Sequence, residues 1–327
     1  MLDKNVYPGT RAMAGGSHGA MVRAYFILKP YMSDEFRRYI RRITMPRILS
    51  RSSAKWPIDE TACGRPTGWT GWPGSKRCAI VFTHDVESSA GVEKVRKLAH
   101  LEMSYGFRSS FNFIPEGQYD DPVEHRAWLI ENNFEVGVHD LNHDGQLFAS
   151  RRGFCNKAEN INRYLAKWGA VGFRSGFMLR QLDWLHDLDI LYDSSTFDTD
   201  PFEPQPAGSI TIFPFRVFST MTYGRQGYIE LSYTLPQDST LFLLLKQKTP
   251  SVWKNKLDWI VKNGGMALVN IHPDYIDFSN RGGNGTTYPV DILIEFMNYI
   301  RSEYSGTYWN PVARELATWY NQTFPIP

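Results

Sequence analysis

Three short segments far apart in the chain hold residue types that bind a metal ion and activate a water. They are Thr83-His84-Asp85-Val86-Glu87, His139-Asp140-Leu141-Asn142-His143 and Ile271-His272-Pro273-Asp274. Imidazole nitrogens and carboxylate oxygens are common ligands of zinc and similar divalent ions. The i, i+4 spacing of His139 and His143 puts both rings on one side of a helical turn or compact loop, where they can share an ion. A carboxylate from Asp85 completes a facial Asp-His-His set, leaving positions open for water and substrate as a catalytic ion requires. Each fragment alone also reads as a hydrogen-bonded turn, a polar loop or a proline strand stop. Together they favour chemistry, because three imidazoles and an acid fall where apolar runs end and folding alone asks for none.

Those runs alternate in type along the chain. Strands are expected at 78–83, 109–113, 134–138, 171–174, 190–192, 228–231 and 266–271, with helical patterns near 90–105, 122–132, 153–168, 180–187 and 251–263. Such alternation predicts right-handed βαβ units and a parallel sheet. Every candidate group then sits just after a strand, where barrel enzymes carry their chemistry. No short repeat, phosphate-binding glycine loop or nucleic-acid motif is evident, and no nucleic-acid partner is expected.

From about residue 75 to 320 the chain resembles the NodB-homology polysaccharide deacetylases of carbohydrate esterase family 4. A vaguer likeness to deacetylase-like proteins of bacterial surface-polysaccharide clusters extends back towards residue 25. The resemblance implies an α/β fold, a distorted (β/α)7 barrel with an N-terminal extension. It also implies an Asp-His-His metal triad, usually holding zinc, at Asp85, His139 and His143. His272, closing Leu268-Val269-Asn270-Ile271, matches the general acid. Arg174, in Phe173-Arg174-Ser175-Gly176-Phe177, is similar to an arginine that borders the groove and orients acidic partners. Asp193, in Tyr192-Asp193-Ser194-Ser195, is similar to an acid that would hold His272 protonated. One position departs from the family. Where two adjacent aspartates are usual, the first being the base, this chain has His84 before Asp85. A neutral imidazole can take a proton from water, so His84 is the expected base. Glu87 is the second candidate, and loss of the base is the third.

The implied reaction is deacetylation of an N-acetylated sugar of a bacterial surface polysaccharide or its lipid-linked precursor; an O-acetyl group would use the same parts. A divalent ion, zinc above others, would polarise the carbonyl, His84 would deprotonate the water and His272 would protonate the departing amine. The alternative is a catalytically inactive glycan-binding domain on the same fold.

With 327 residues, 42% hydrophobic and 14% aromatic, the chain can bury one large core. The expected division is a disordered segment at 1–20, a basic extension packing on the barrel at 21–75, and the barrel at 76–322. Cys63, Cys78 and Cys155 have no metal-like spacing, which points to a reducing compartment. Without an apolar run of about 20 residues or a secretion-signal pattern, the expected location is the cytoplasm. Residues 1–55 hold 11 Lys or Arg against 3 acids, and the rest 25 against 31, so the net +2 hides a basic extension. Within it, residues 34–43 set Phe36, Tyr39, Ile40 and Ile43 against Arg37, Arg38, Arg41 and Arg42. That face either packs on the barrel or makes a peripheral contact with the inner membrane. Trp56, Trp69 and Trp72 lie in a Pro- and Gly-rich wrap that packs on the barrel or stacks on sugars. Substrate contacts are expected from Phe177 and from the loosely patterned 197–240 region, at Asp198, Gln237 and Asp238. A polar loop, 279–285, is expected to be mobile.

Overall fold

The structure, a computed structural model, describes residues 34–219, 227–279 and 285–325, with side chains from residue 43. Residues 1–20, the side chains of 34–42 and most of the 279–285 loop lie outside the described residues.

A sheet of mostly parallel strands is curled around the site. Its central strand β1 (Cys78–Val86) is buried along its whole length. It pairs in parallel with β2 (Ser109–Phe113) on one side and β8 (Met266–Ile271) on the other. Beyond β2 follow β3 (Glu135–His139), β4 (Gly172–Arg174), β5 (Tyr192–Asp193) and β7 (Tyr228–Glu230), again parallel. A short antiparallel β6 (Phe215–Val217) flanks β7. The chain leaving β7 returns to β8 through a parallel bridge between Leu235 and Val269. Among the described residues these seven parallel segments run round the barrel, and a further short parallel strand, Tyr308–Trp309, pairs with the start of β1.

Helices cover the outside for the reason the sequence pattern suggests. Arg151–Trp168 buries Phe154, Ala158, Ile161 and Leu165, one stripe at helical spacing. Ser150 Oγ caps its start by accepting from Gly153 N (3.1 Å), and Gly169 ends it in the left-handed conformation. Truncating Phe154 would cost about 3–5 kcal/mol. The Trp-rich wrap is built into the packing: Trp69 stacks on Phe324 and meets Trp72 edge-on, and Trp72 Nε1 donates to Gly264 O at 2.8 Å. The basic extension forms a helix, Asp34–Ser52, with Pro46 inside it. Among the described residues no helix is long and apolar enough to cross a membrane.

Candidate metal centre and its groove

Successive side chains of a strand point to opposite faces, and on β1 this alternation decides which groups meet. Thr83 and Asp85 face the barrel interior, and Glu87, just past the strand, continues on their side. His84 faces outward. Its Nε2 lies 2.8 Å from Glu102 Oε1, its Nδ1 lies 3.3 Å from Ile271 O, and its ring packs on Phe111. Fully buried among these partners, His84 cannot reach a water at the interior cluster, which corrects its expected role as base.

On the inner face, Glu87, His139 and His143 bring one ligand atom each within 4.8 Å of one another. Glu87 Oε1 is 3.2 Å from His143 Nε2 and 3.8 Å from His139 Nε2. Its other oxygen accepts from Tyr275 Oη at 3.0 Å, and its backbone N donates to Asp274 Oδ2 at 3.1 Å. His139 Nδ1 lies 3.0 Å from the carbonyl of Arg174. That contact requires the proton on Nδ1, so in the neutral ring Nε2 carries the lone pair. Both Nε2 atoms, of His139 and His143, are buried without a hydrogen-bond partner. An unsatisfied buried polar atom costs about 1–3 kcal/mol, so two of them converging on a carboxylate fit a cation.

The His139–His143 segment is a compact loop. Asp140 and His143 adopt left-handed φ of 56° and 55°, a strained choice for non-glycine residues. Asp140 offsets it by accepting from Leu141 N (2.6 Å) and Gly176 N (3.0 Å). Gly176 is needed there, since a Cβ would lie 2.6 Å from Asp140 Oδ2 and 2.7 Å from His143 Cδ2. Phe177 stacks on His143, with centroids 4.3 Å apart.

Asp85 adjoins the cluster, with Oδ2 3.9 Å from His139 Nε2. Its oxygens are taken by Arg174 Nη1 (3.1 Å), Asn112 Nδ2 (3.0 Å) and Asn270 Nδ2 (2.7 Å). Burial would raise its pKa, but Arg174 and His139 outweigh burial and hold it well below the usual carboxylate range. The same competition, won by His143 and His272, keeps Glu87 ionised. Asp85 was expected to be a ligand; Glu87 holds the place nearest both imidazoles. Arg174, expected to border the groove, is fully buried and bonds Ser194 as well as Asp85.

His272 Nδ1 lies 2.7 Å from Asp238 Oδ1, and its backbone N donates to Asp238 Oδ2 at 2.9 Å. Burial would lower its pKa, but the charges of Asp238 and Glu87 push it up to about 10. Two expectations are corrected here. Asp193, read as the partner of His272, instead accepts from Ser195 N and Oγ and sits against Glu230. Asp238, read as a substrate contact, is the acid that holds His272. Asp198 is no substrate contact either: it forms a buried ion pair with Lys256 at 2.7 Å. Phe177 and Gln237 do line the pocket, with Asp85, Glu87, His139, His272 and Tyr275. Tyr275, Asn112 and Asn270 were not foreseen. Asn270 carried a signal, since it shares β8's interior face with His272, two residues on.

The sequence matches no family model, and no curated protein matches it. Among solved structures, a protein from Mycobacterium smegmatis assigned as a polysaccharide deacetylase superposes with a TM-score of 0.60 at 16% identity, covering 79% of this chain and 94% of its own. Puue allantoinase superposes at 0.59 and 14% identity, covering 84% of this chain and all of its own. At such identities the likeness shows the fold alone, a distorted (β/α)7 barrel. The two structures are named for different activities, so the fold leaves the reaction to be argued from the site.

Proposed function

We propose that the protein is a metal-dependent deacetylase acting on an N-acetylated sugar of a bacterial surface polysaccharide or its precursor. The observation that carries this reading is the pair of buried, unpartnered Nε2 atoms beside Glu87, flanked by an ionised Asp85 and a protonated His272. Glu87, His139 and His143 would hold the ion, most fittingly zinc given two imidazoles and one carboxylate. Bound there, a divalent cation supplies Lewis acidity towards the acyl oxygen and the attacking water.

The chain's own groups do the proton work. Asp85, kept ionised by Arg174 and oriented by Asn112 and Asn270, takes the proton of the attacking water. His272, with Nδ1 held by Asp238, presents a protonated Nε2 and gives that proton to the departing amine as the C–N bond breaks. A C–O bond replaces it, releasing acetate and an amino sugar. An acetyl ester would need less help at the leaving group and could use the same residues.

The division into a basic extension and a barrel, a cytoplasmic location and a membrane contact through residues 34–43 belong to the same proposal. Equal flotation of the full chain and a chain from residue 56 with anionic liposomes would sink the membrane part. The activity is tested by acetate release from N-acetylated oligosaccharides, using protein stripped by chelator and reloaded with zinc. Zinc-restored release supports the enzyme. Zinc binding without release on any substrate would favour a catalytically silent glycan-binding domain.

A further inference from the structure

The pocket holds a second polar group that the proton transfers do not use. Glu203 lines it, and both of its hydrogen bonds run to Oε1, from Tyr233 Oη at 2.9 Å and Gln237 Nε2 at 2.5 Å. Tyr233 Oη also lies 2.9 Å from Asp200 Oδ2. One phenol has one proton, so it can donate to only one of the two carboxyls at a time. Asp200 and Tyr233 are buried, whereas Glu203 is partly exposed. Burial and the charge of Asp200 push Glu203 up to about 8.

Two features give this wall a meaning beyond a cluster of acids. Gln237 Oε1 accepts from Asn270 Nδ2 (3.3 Å), which also donates to Asp85 Oδ2 (2.7 Å). Glu203 is therefore linked through two amide side chains to the proposed base. Separately, His139 Nε2, buried and unpartnered, belongs to the same pocket and marks it as built for a ligand. Among the described residues, no Lys or Arg lines it.

We propose that Glu203, seated on Tyr233 and Gln237, is a specificity-determining residue that hydrogen-bonds a hydroxyl of a neutral sugar beside the acetyl group and rejects sugars carrying phosphate there. This rests on the deacetylase reading. Above about pH 8, where Glu203 is ionised, its carboxylate accepts a hydrogen bond from a hydroxyl, whereas beside a phosphate it leaves two like charges together in a confined site.

The test compares N,N'-diacetylchitobiose with N-acetylglucosamine 6-phosphate on the zinc-loaded full chain at about pH 9, above the raised value of Glu203, by acetate release and by calorimetric binding. The wild type should favour the neutral sugar by at least about tenfold, and Glu203→Gln should shrink that ratio by at least about fivefold, as removal of a like charge predicts. Because the readout is a ratio within one folded sample, partial loss of stability in the variant cancels. A ratio unmoved by Glu203→Gln, or a wild type that favours the phosphorylated sugar, overturns the subsite while acetate release still supports the deacetylase. Neutral-sugar binding with the expected change of ratio but no release supports the subsite and overturns the deacetylase. Neither release nor binding of either sugar overturns both.

Discussion

Two histidine–carboxylate pairs of almost equal length occupy opposite situations in this barrel. His84 meets Glu102 at 2.8 Å outside the sheet, and His272 meets Asp238 at 2.7 Å on the pocket side. At His84 the second nitrogen is also taken, by Ile271 O, and the ring is sealed against Phe111. At His272 the second nitrogen is left for the pocket, 3.8 Å from Glu87 Oε1. A carboxylate partner is common to both, so it does not mark a catalytic imidazole. The nitrogen that the fold leaves unused does.

The largest effect that would sharpen this contrast lies at the ligands. Glu87→Ala or His143→Ala should weaken zinc binding by more than the roughly 100-fold that loss of an outer partner costs, and abolish acetate release. Next, His272→Ala should lower kcat by roughly 10²–10⁴ while zinc binding stays within a few-fold of wild type, as loss of a general acid predicts. If zinc is lost as well, His272 belongs to the ligand set and the contrast must be redrawn. On the other side of the sheet, His84→Ala should leave zinc stoichiometry and acetate release per folded molecule unchanged. Because it breaks a fully buried pair, it should cost about 3–5 kcal/mol in denaturant unfolding. Loss of turnover with full stability would break the comparison.

The smallest effect concerns pH. Glu203, ordinarily near 4.5 and here raised to about 8, binds its proton more tightly in the folded state. Its contribution to stability is therefore full below about pH 4.5 and lost as pH rises through about 8. Thermal unfolding from pH 4.5 to 8.5 should show this decline, and Glu203→Gln should flatten it.

Much of this was legible in the sequence because period and composition agree. Strands form near all seven expected places, with 109–113 and 266–271 matching to the residue, whereas 190–192 shifts to Tyr192–Asp193 and the helix expected at 180–187 is only a 3-10 turn at Trp184–Asp187. The helices Asp291–Tyr304 and Ala313–Thr323 were not anticipated. His139, His143 and His272 do converge, each with Nε2 within 3.8 Å of Glu87 Oε1. The error at His84 has a physical origin. β1 was expected to stop at 83 but runs to Val86, so strand alternation persists through the motif and sends His84 and Asp85 to opposite faces. Asp85 and Glu87, two apart, share the inner face instead. The acids were harder to assign because their partners lie far along the chain: Asp238 is 34 residues from His272, and Asp198 is 58 from Lys256. Buried acids look alike until tertiary pairing separates them.

The most direct measurement of the central claim is zinc titration of chelator-stripped wild type, Glu87→Ala and His84→Ala, side by side. Tight binding of one zinc by wild type and His84→Ala, with loss in Glu87→Ala, is the expected result. Equal zinc affinity in Glu87→Ala and wild type, or its loss in a folded His84→Ala, would contradict the assignment of the inner face of β1 as the metal centre.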